Sequence, residues 1–419
     1  MENKVYTFHL LGLAHLPAHA KFSSCAFTQK NRKLAKMLLS MGHTVYFYGC
    51  DGSDILEYCA NEPGELHYIR THSLDDLRQD YGNGWNLDSF PELYYDWTVS
   101  NFKHDLSSTE KKPSTLKFFE SCIRIINQVK KADDFLLCTQ GAYHRPIAEA
   151  VKLTLNCESG IGYRGWAEEM FHCFESYYGM HFLYGSDKPF ASLNGRYYDR
   201  RIFNYFDLND YEFSDTKEDY FLFIGRMIKR KGVMTAYLAT QATGDKLIFA
   251  GQGASVQPDG SLMDETTPEY PTPEFNIPAG HWQYIGFADV ETRKKLMSKA
   301  KAVFVATEYL EMFGGVAAEA MLSGTPVITT SFGVFPEYNI HGKTGFLCHT
   351  LQDFVNAVEA CKNFTKENYN FIRNYALENF DMHVIKHQYQ KWFDDLYQVY
   401  ESIEYKGVKA WHRINKKTS

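Results

Sequence analysis

Two glutamates, Glu311 and Glu319, stand with seven residues between them in the run Ala306-Thr-Glu-Tyr-Leu-Glu-Met-Phe-Gly-Gly-Val-Ala-Ala-Glu-Ala-Met-Leu-Ser-Gly-Thr-Pro-Val. The pattern predicts a strand, a loop and a helix that begins near Gly314, with Glu311 just before the helix and Glu319 in its second turn. At such a start the main-chain N–H groups from Phe313 to Val316 lack helical acceptors, and the positive end of the helix dipole lies behind them. A phosphate or a sugar hydroxyl suits that position. Gly314 and Gly315 remove the side chains that would block its approach. Carboxylates accept hydrogen bonds in pairs, which suits the vicinal hydroxyls of a ribose or hexose. Taken singly, Glu311 reads as a helix cap and Glu319 as a solvated helix residue. The glycine pair and the Gly324-Thr-Pro-Val strand that follows favour binding.

Other candidates lie at predicted strand ends. Arg226 follows one, and Lys231 comes five residues later in a loop entering a helix, within the consecutive Lys229, Arg230 and Lys231. Glu158, in Asn156-Cys-Glu-Ser-Gly-Ile-Gly-Tyr, could orient a sugar, stabilise an oxocarbenium-like centre or receive a proton. Bonding to the neighbouring glycine-rich backbone explains it equally well. Gly12 ends the opening strand, and His15 and His19 read as loop residues. His144 is a weaker candidate, and Gly253 sits in an ordinary glycine turn. Asp133-Asp134 adjoins a strand and reads as solvated, and no Asp-x-Asp metal motif appears at a strand end.

These residues need elements to position them. The opening reads strand (Val5–Leu11), loop, helix (Phe27–Met41) capped by Gly42, then strand (Thr44–Tyr48), a βαβ unit that implies a parallel sheet. From about Glu62 to Pro113 the rhythm breaks in an acidic, aromatic stretch whose Trp85, Tyr94, Tyr95 and Trp97 could stack on a sugar or pack a core. Asp134–Thr139 is a buried strand, Ala148–Leu153 a helix, and another strand ends near Cys157. After a polar aromatic stretch over Gly195–Tyr211 the α/β pattern restarts at Phe221–Ile224. Between Gly253 and Trp282 a Pro-rich polar insertion predicts a long surface loop, and His383–Ile403 is an amphipathic helix. The fold class is therefore α/β, with two Rossmann-like doubly wound domains facing a cleft. We place the first at 1–205, the second at 206–382, and a final helical segment at 383–419. Such sheets bind ligands at the carboxyl ends of their strands, so the cleft can hold a donor on one side and an acceptor on the other.

Length and composition bound the reading. At 419 residues two domains are the default expectation. A net charge of −7 gives no general attraction to nucleic acid or anionic membranes. Lys30, Arg32, Lys33 and Lys36 on the first helix could form a basic membrane patch, although four cations on an exposed helix face are usually just solvation. No apolar run approaches the ~20 residues that cross a bilayer, and the N-terminus lacks signal-peptide anatomy. The nine cysteines are odd in number and scattered without a CxxC pair, which reads as reduced thiols in a cytoplasmic protein. Zinc is not expected, because the sixteen histidines show no ligand spacing with cysteine.

The form E-x-F-G-x-V-x-x-E-A over Glu311–Ala320 resembles the Glu-x7-Glu signature of family 4 retaining glycosyltransferases, which have the GT-B fold. Gly324-Thr-Pro-Val-Ile-Thr-Thr, Glu337 with His341-Gly-Lys-Thr-Gly-Phe-Leu, Phe223-Ile-Gly-Arg-Met-Ile-Lys-Arg-Lys-Gly-Val, Ala250-Gly-Gln-Gly and Ile285-Gly-Phe resemble it too, in family order over roughly residues 220–350. The resemblance implies that Arg226 and Lys231 neutralise the diphosphate of a UDP- or GDP-sugar donor, replacing a metal, and that no cofactor is required. Lys229 could share the role of Lys231. It implies that Glu319 holds the ribose hydroxyls and Glu311 the transferred sugar, with main-chain contacts from Met312, Phe313, Gly314, Gly315 and Val316. Phe287 is placed beside the nucleobase, and the loop at Gly12 near the phosphates and acceptor, although it has one glycine where the family has a pair. Glu158 stands where many members have a histidine near the reacting carbon. The final helix is implied to cross back to the first domain.

The acceptor is expected to be a hydroxyl of a glycan, a lipid or another molecule. Nucleic acid is disfavoured by the acidic balance. An epimerase or phosphorylase of the same fold, or an inactive carbohydrate-binding relative, is the alternative. Intact Arg226, Lys231, Glu311 and Glu319 argue against the inactive relative.

Overall fold

The opening βαβ unit forms as the spacing predicts. In the computed structural model, which describes residues 4–23, 25–81, 87, 112–163, 165, 171–186, 198–265 and 272–401, β1 (Thr7–Leu11) leads through α1 (Ala26–Ser40) to β2 (Thr44–Cys50). The two strands pair in parallel, Thr7 opposite Thr44. Gly42, with φ 82°, takes the left-handed conformation that stops α1. After α2 (Ile55–Tyr58), β3 (Glu65–His72) and α3 (Leu74–Tyr81) extend the unit outward. The α/β rhythm thus continues to residue 81, further than the sequence pattern indicated; Trp85, Tyr94, Tyr95 and Trp97 lie outside the described residues.

The chain then returns to the other side of β1 through α4 (Pro113–Val129), β4 (Phe135–Cys138), α5 (Arg145–Val151), β5 (Leu155–Ile161), β6 (Phe171–Phe174), α6 (Tyr177–Ser186) and β7 (Arg200–Arg201). The sheet order is β3-β2-β1-β4-β5-β6-β7. β5 runs four residues beyond Cys157, to Ile161, so Glu158 lies within the strand.

The second half repeats the plan. β8 (Phe221–Ile224), α7 (Val233–Thr243) and β9 (Leu247–Ala250) are followed by three short strands, β10 (Ala254–Val256), β11 (Leu262–Asp264) and β12 (Asn276–Ile277). These pair antiparallel and bury Leu262, Phe275 and Ile277 in the second domain. The insertion is therefore a small sheet, where the sequence suggested only a loop, because strands of two or three residues show no readable alternation. Then come β13 (Trp282–Tyr284), α8 (Val290–Lys299), β14 (Val303–Val305), α9 (Gly315–Leu322), β15 (Val327–Thr330), α10 (Phe335–Tyr338), β16 (Gly345–Cys348), α11 (Leu351–Cys361) and α12 (Lys366–Phe380). The sheet order β13-β9-β8-β14-β15-β16 reverses at β8 as the first sheet reverses at β1. Ligands of such sheets bind in the crevice outside the strand ends at this reversal. Gly12 follows β1 and Arg226 follows β8, so both stand at these points.

The chain crosses between the domains twice, at adjacent places. Phe206 N donates to Phe380 O at 2.9 Å and Met382 N to Phe206 O at 3.0 Å, pairing the two crossings as a short parallel bridge. Beyond it α13 (Met382–Glu401) buries Tyr389, Trp392 and Phe393 in the first domain's core, with Phe393 packed 4.7 Å from Phe8 and 5.3 Å from Phe135 between ring centroids. All nine cysteines are buried and free. Among the described residues no helix is long and apolar enough to cross a membrane.

Candidate functional site

Glu311 and Glu319 flank the start of α9 as the spacing predicts, with Gly314 at the N-cap. Gly314 has φ 73°, and a Cβ there would meet the Phe335 ring at 2.7 Å and the Tyr338 hydroxyl at 3.1 Å. Gly315 has ordinary space, its nearest neighbour being the Phe206 ring at 3.9 Å. The carbonyls of the loop all find donors. Val334 N donates to Glu311 O at 3.1 Å, Ser176 Oγ to Met312 O at 2.5 Å, and Tyr338 Oη to Phe313 O at 2.7 Å and Gly314 O at 3.2 Å. With its acceptors engaged behind, the loop can offer its N–H groups and the helix start to an anion.

Lys231 approaches this loop from β8. Its turn is closed by Gly232, at φ 83°, where a Cβ would lie 2.0 Å from Ala306 O, so only glycine lets the turn pack against the end of β14. Lys231 Nζ lies 3.4 Å from Glu311 Oε2 and also bonds the Tyr309 hydroxyl. Burial holds its ammonium below the usual lysine value, Arg226 and Arg230 push the same way, and Glu311 opposes them. Lys229 is exposed on the same turn, so Lys231 is the cation brought to the glutamate loop. Arg226 is exposed at the end of β8, close enough for its charge to act on Lys231 and Tyr309.

Glu319 has partners that the sequence did not reveal. Arg293 Nη1, from α8, lies 3.7 Å from Glu319 Oε2, and burial together with the Glu319 charge raises the pKa of the nearby Tyr211 hydroxyl. Phe287 is exposed beyond β13. Gly253 has φ 98° and lies against Met227. The stricter requirement is at Gly251, where a Cβ would sit 1.7 Å from Gly225 O, because the turns after β8 and β9 pack directly together. Gly12 N donates to Tyr48 O at 2.8 Å, and a Cβ there would come within 2.6 Å of that oxygen.

Glu158 sits in a buried polar chain. Tyr163 Oη donates to its Oε1 at 2.6 Å, and His172 Nε2 lies 3.9 Å from Oε2. His172 in turn faces Asp199, with Nδ1 3.4 Å from Oδ2, and Tyr184 Oη donates to that oxygen at 2.5 Å. The carboxylate that fills the glycine-rich backbone is Glu175, missed in the sequence for want of a motif around it. A Cβ on Gly162 would collide with it at 2.2 Å, and its Oε1 lies 3.1 Å from Lys30 Nζ. His144 is fully buried against Phe118, and burial lowers its pKa to about 3. It is a neutral core residue rather than part of an acceptor wall. His15 is buried, and His19 Nδ1 accepts from Lys21 N at 3.0 Å.

The first-helix cations also overturn their expectation. Lys30, Arg32 and Lys33 are buried, and all four point inward. Lys30 pairs with Glu175, Arg32 takes Asp54 in two bonds of 2.8 Å, Lys33 donates to Tyr205 O at 2.6 Å and Lys36 meets Asp207 at 2.6 Å. No membrane-facing patch forms from them, because three are drawn to carboxylates remote in sequence and Lys33 to the Tyr205 carbonyl. Asp134 is likewise buried, 3.2 Å from His9 Nε2, while Asp133 accepts from Tyr397 Oη at 3.1 Å. Both lie before β4, at the end of the sheet away from the cleft.

Burial lowers the Lys33 pKa from 10.5 to about 8, against the pull of Glu319, Glu175 and Asp210. Below pH 8 both folded and unfolded chains hold this proton; between about 8 and 10.5 the unfolded chain binds more, so the cost of burying Lys33 fades as pH rises. Wild type should gain melting temperature relative to Lys33→Met across that window. A pH-independent difference in thermal denaturation would contradict it.

Residues 208–376 match the family model of glycosyl transferases group 1. Over 132 residues the chain is 31% identical to glycogen synthase of Mycobacterium tuberculosis, covering 30% of this chain and 29% of that one. The chain spans less than a third of the length of the curated relatives it matches. Among solved structures, AviGT4, a glycosyltransferase involved in avilamycin A biosynthesis, superposes with a TM-score of 0.59 at 16% identity, covering 94% of this chain and 98% of that one. HepE of Anabaena in complex with UDP-glucose superposes at 0.56 and 15%, covering 93% and 99%. The fold is that of the GT-B glycosyltransferases.

Proposed function

We propose that this chain is a retaining hexosyltransferase of the family 4 kind, moving a sugar from a UDP- or GDP-sugar to a hydroxyl of a glycan, lipid or other acceptor. The observation that carries the reading is the loop at 311–315, whose carbonyls are all engaged behind while two carboxylates and the Lys231 ammonium border the start of α9. A diphosphate fits the helix start, with Arg226 and Lys231 meeting the charge that grows on it as the glycosidic bond breaks. Those cations take the part a divalent metal plays elsewhere, and no cofactor enters. Glu319, oriented by Arg293, accepts from the ribose; Glu311 accepts from the transferred sugar. Phe287 and Gly253 border the nucleotide, Gly12 faces it from the first domain, and Glu158, held by Tyr163, stands near the reacting carbon. Nine free buried thiols fit a reducing compartment, and we place the protein in the cytoplasm. HepE, with the same fold, is known in complex with UDP-glucose, which favours a UDP-sugar donor.

A panel of UDP- and GDP-sugars assayed by thermal shift and nucleotide release tests this. One nucleotide should stabilise wild type, and Glu319→Ala should bind it roughly 10- to 100-fold more weakly through loss of its charge-assisted bonds. If no nucleotide sugar binds or turns over, the reading fails. Proton NMR of the product reads the anomeric outcome.

A further inference from the structure

One face of the glutamate loop is held from the opposite domain. Glu337, on α10 of the second domain, reaches the N-terminus of α6 in the first. Its Oε2 accepts from Tyr177 N at 3.0 Å and its Oε1 from Tyr178 N at 2.6 Å. A carboxylate placed there satisfies two N–H groups that a helix start leaves open, and it faces the positive end of the dipole. Immediately before, Ser176 Oγ donates to Met312 O at 2.5 Å and accepts from Gly179 N at 2.9 Å. The Met312 side chain lies on the same helix start, since a Cβ on Gly179 would meet its Sδ at 3.1 Å. Contacts at two residues thus join the start of α6 to the second domain, at Met312 and at Glu337.

The second domain passes this grip directly to the loop. Residues 334–338, which carry Glu337, hold the loop from behind through Val334 N to Glu311 O and Tyr338 Oη to Phe313 O and Gly314 O. The first domain supplies the remaining bond, at Met312. Movement of α6 away from the second domain therefore removes the donor to Met312 O and the hold on Glu337, while Val334 and Tyr338, packed in the second domain's core, keep the other three carbonyls.

We propose that Glu337 and Ser176 are positioning residues that make the geometry of the loop at 311–315 depend on contact between the domains. The proposal deepens the glycosyltransferase reading and rests on it for its catalytic consequence. The donor loop reaches its working shape only with the domains together, so transfer waits for the acceptor-side domain to be in place, a gating by closure. Binding of a free nucleotide depends on the contact far less, because the brace from Val334 and Tyr338 lies wholly within the second domain.

Hydrogen exchange on the ligand-free protein tests the coupling without any donor. In Glu337→Ala, exchange should quicken at the amides of 177–178 and also at 312–316, with the melting temperature little changed. Ser176→Ala should quicken 312–316 in the same way. Faster exchange confined to 177–178 overturns the proposal, since Glu337 would then be only a helix cap. With a donor, kcat of Glu337→Ala should fall about tenfold or more while the dissociation constant for free nucleotide changes less than about threefold. Glu337→Gln, which keeps one acceptor oxygen, should recover part of kcat. Equal losses in kcat and nucleotide affinity also overturn it. If wild type binds no nucleotide sugar, the functional reading falls, and the exchange measurement still decides the coupling.

Discussion

Arg226→Ala should lower kcat for transfer by roughly 10²- to 10³-fold, the scale on which removing one fixed stabiliser of developing charge is felt. Lys231 is held at the side of the loop, 3.4 Å from Glu311 and bonded to Tyr309. Arg226 stands exposed at the end of β8, at the reversal of strand order, where its guanidinium can take two phosphate oxygens together. Arg226→Lys should recover only part of the rate, because an ammonium lacks the fork. Steady-state kinetics by nucleotide release decide it. A kcat within threefold of wild type in Arg226→Ala would remove this arginine from the reaction.

Gly314→Ala should weaken nucleotide binding roughly a hundredfold. Its φ of 73° costs an L-residue about 1–2 kcal/mol, and the added Cβ would press on the Phe335 ring at 2.7 Å and the Tyr338 hydroxyl at 3.1 Å. Those two side chains brace the loop from behind, so relief of the clash moves the loop itself; together the terms come to about 3 kcal/mol. Gly315→Ala is the matched comparison. Its Cβ would meet nothing closer than 3.9 Å, so the fold should tolerate it, and any loss of binding there reports a ligand lying against the residue. Calorimetric titration with nucleotide, alongside melting temperatures, separates the two. Equal affinities for Gly314→Ala and wild type would contradict the account.

What the sequence made legible was local. The strand, loop and helix around Glu311 and Glu319 lie within one short run, so residue spacing alone specifies their geometry. The two parallel sheets were readable because buried strands and helices alternate with clear periodicity. Partnerships between distant residues were not readable. The cations of α1 looked like a solvated face because Asp54, Glu175 and Asp207, which draw them inward, are remote in sequence. Arg293 and Tyr211 could not be assigned to Glu319 for the same reason, since each comes from a different element. Glu158 was singled out as standing where the family has a histidine, and the glycine-rich backbone weighed as its alternative partner makes room for Glu175 instead.

The location of α13 bears on how the protein is made. The second domain's core closes on residues up to Phe380, all contiguous from the first crossing. The first domain's core includes Tyr389, Trp392 and Phe393, which come long after β7 in the chain. During synthesis the amino-terminal half therefore leaves the ribosome with an apolar groove beside Phe8 and Phe135 that nothing yet made can fill. The usual order, in which the first domain made is the first to fold, is inverted: the later domain completes itself and the earlier one waits for its last helix. Until then the nascent chain exposes aromatic surface to chaperones, and a ribosome stalled before residue 382 would release a half that is unfinished at its beginning.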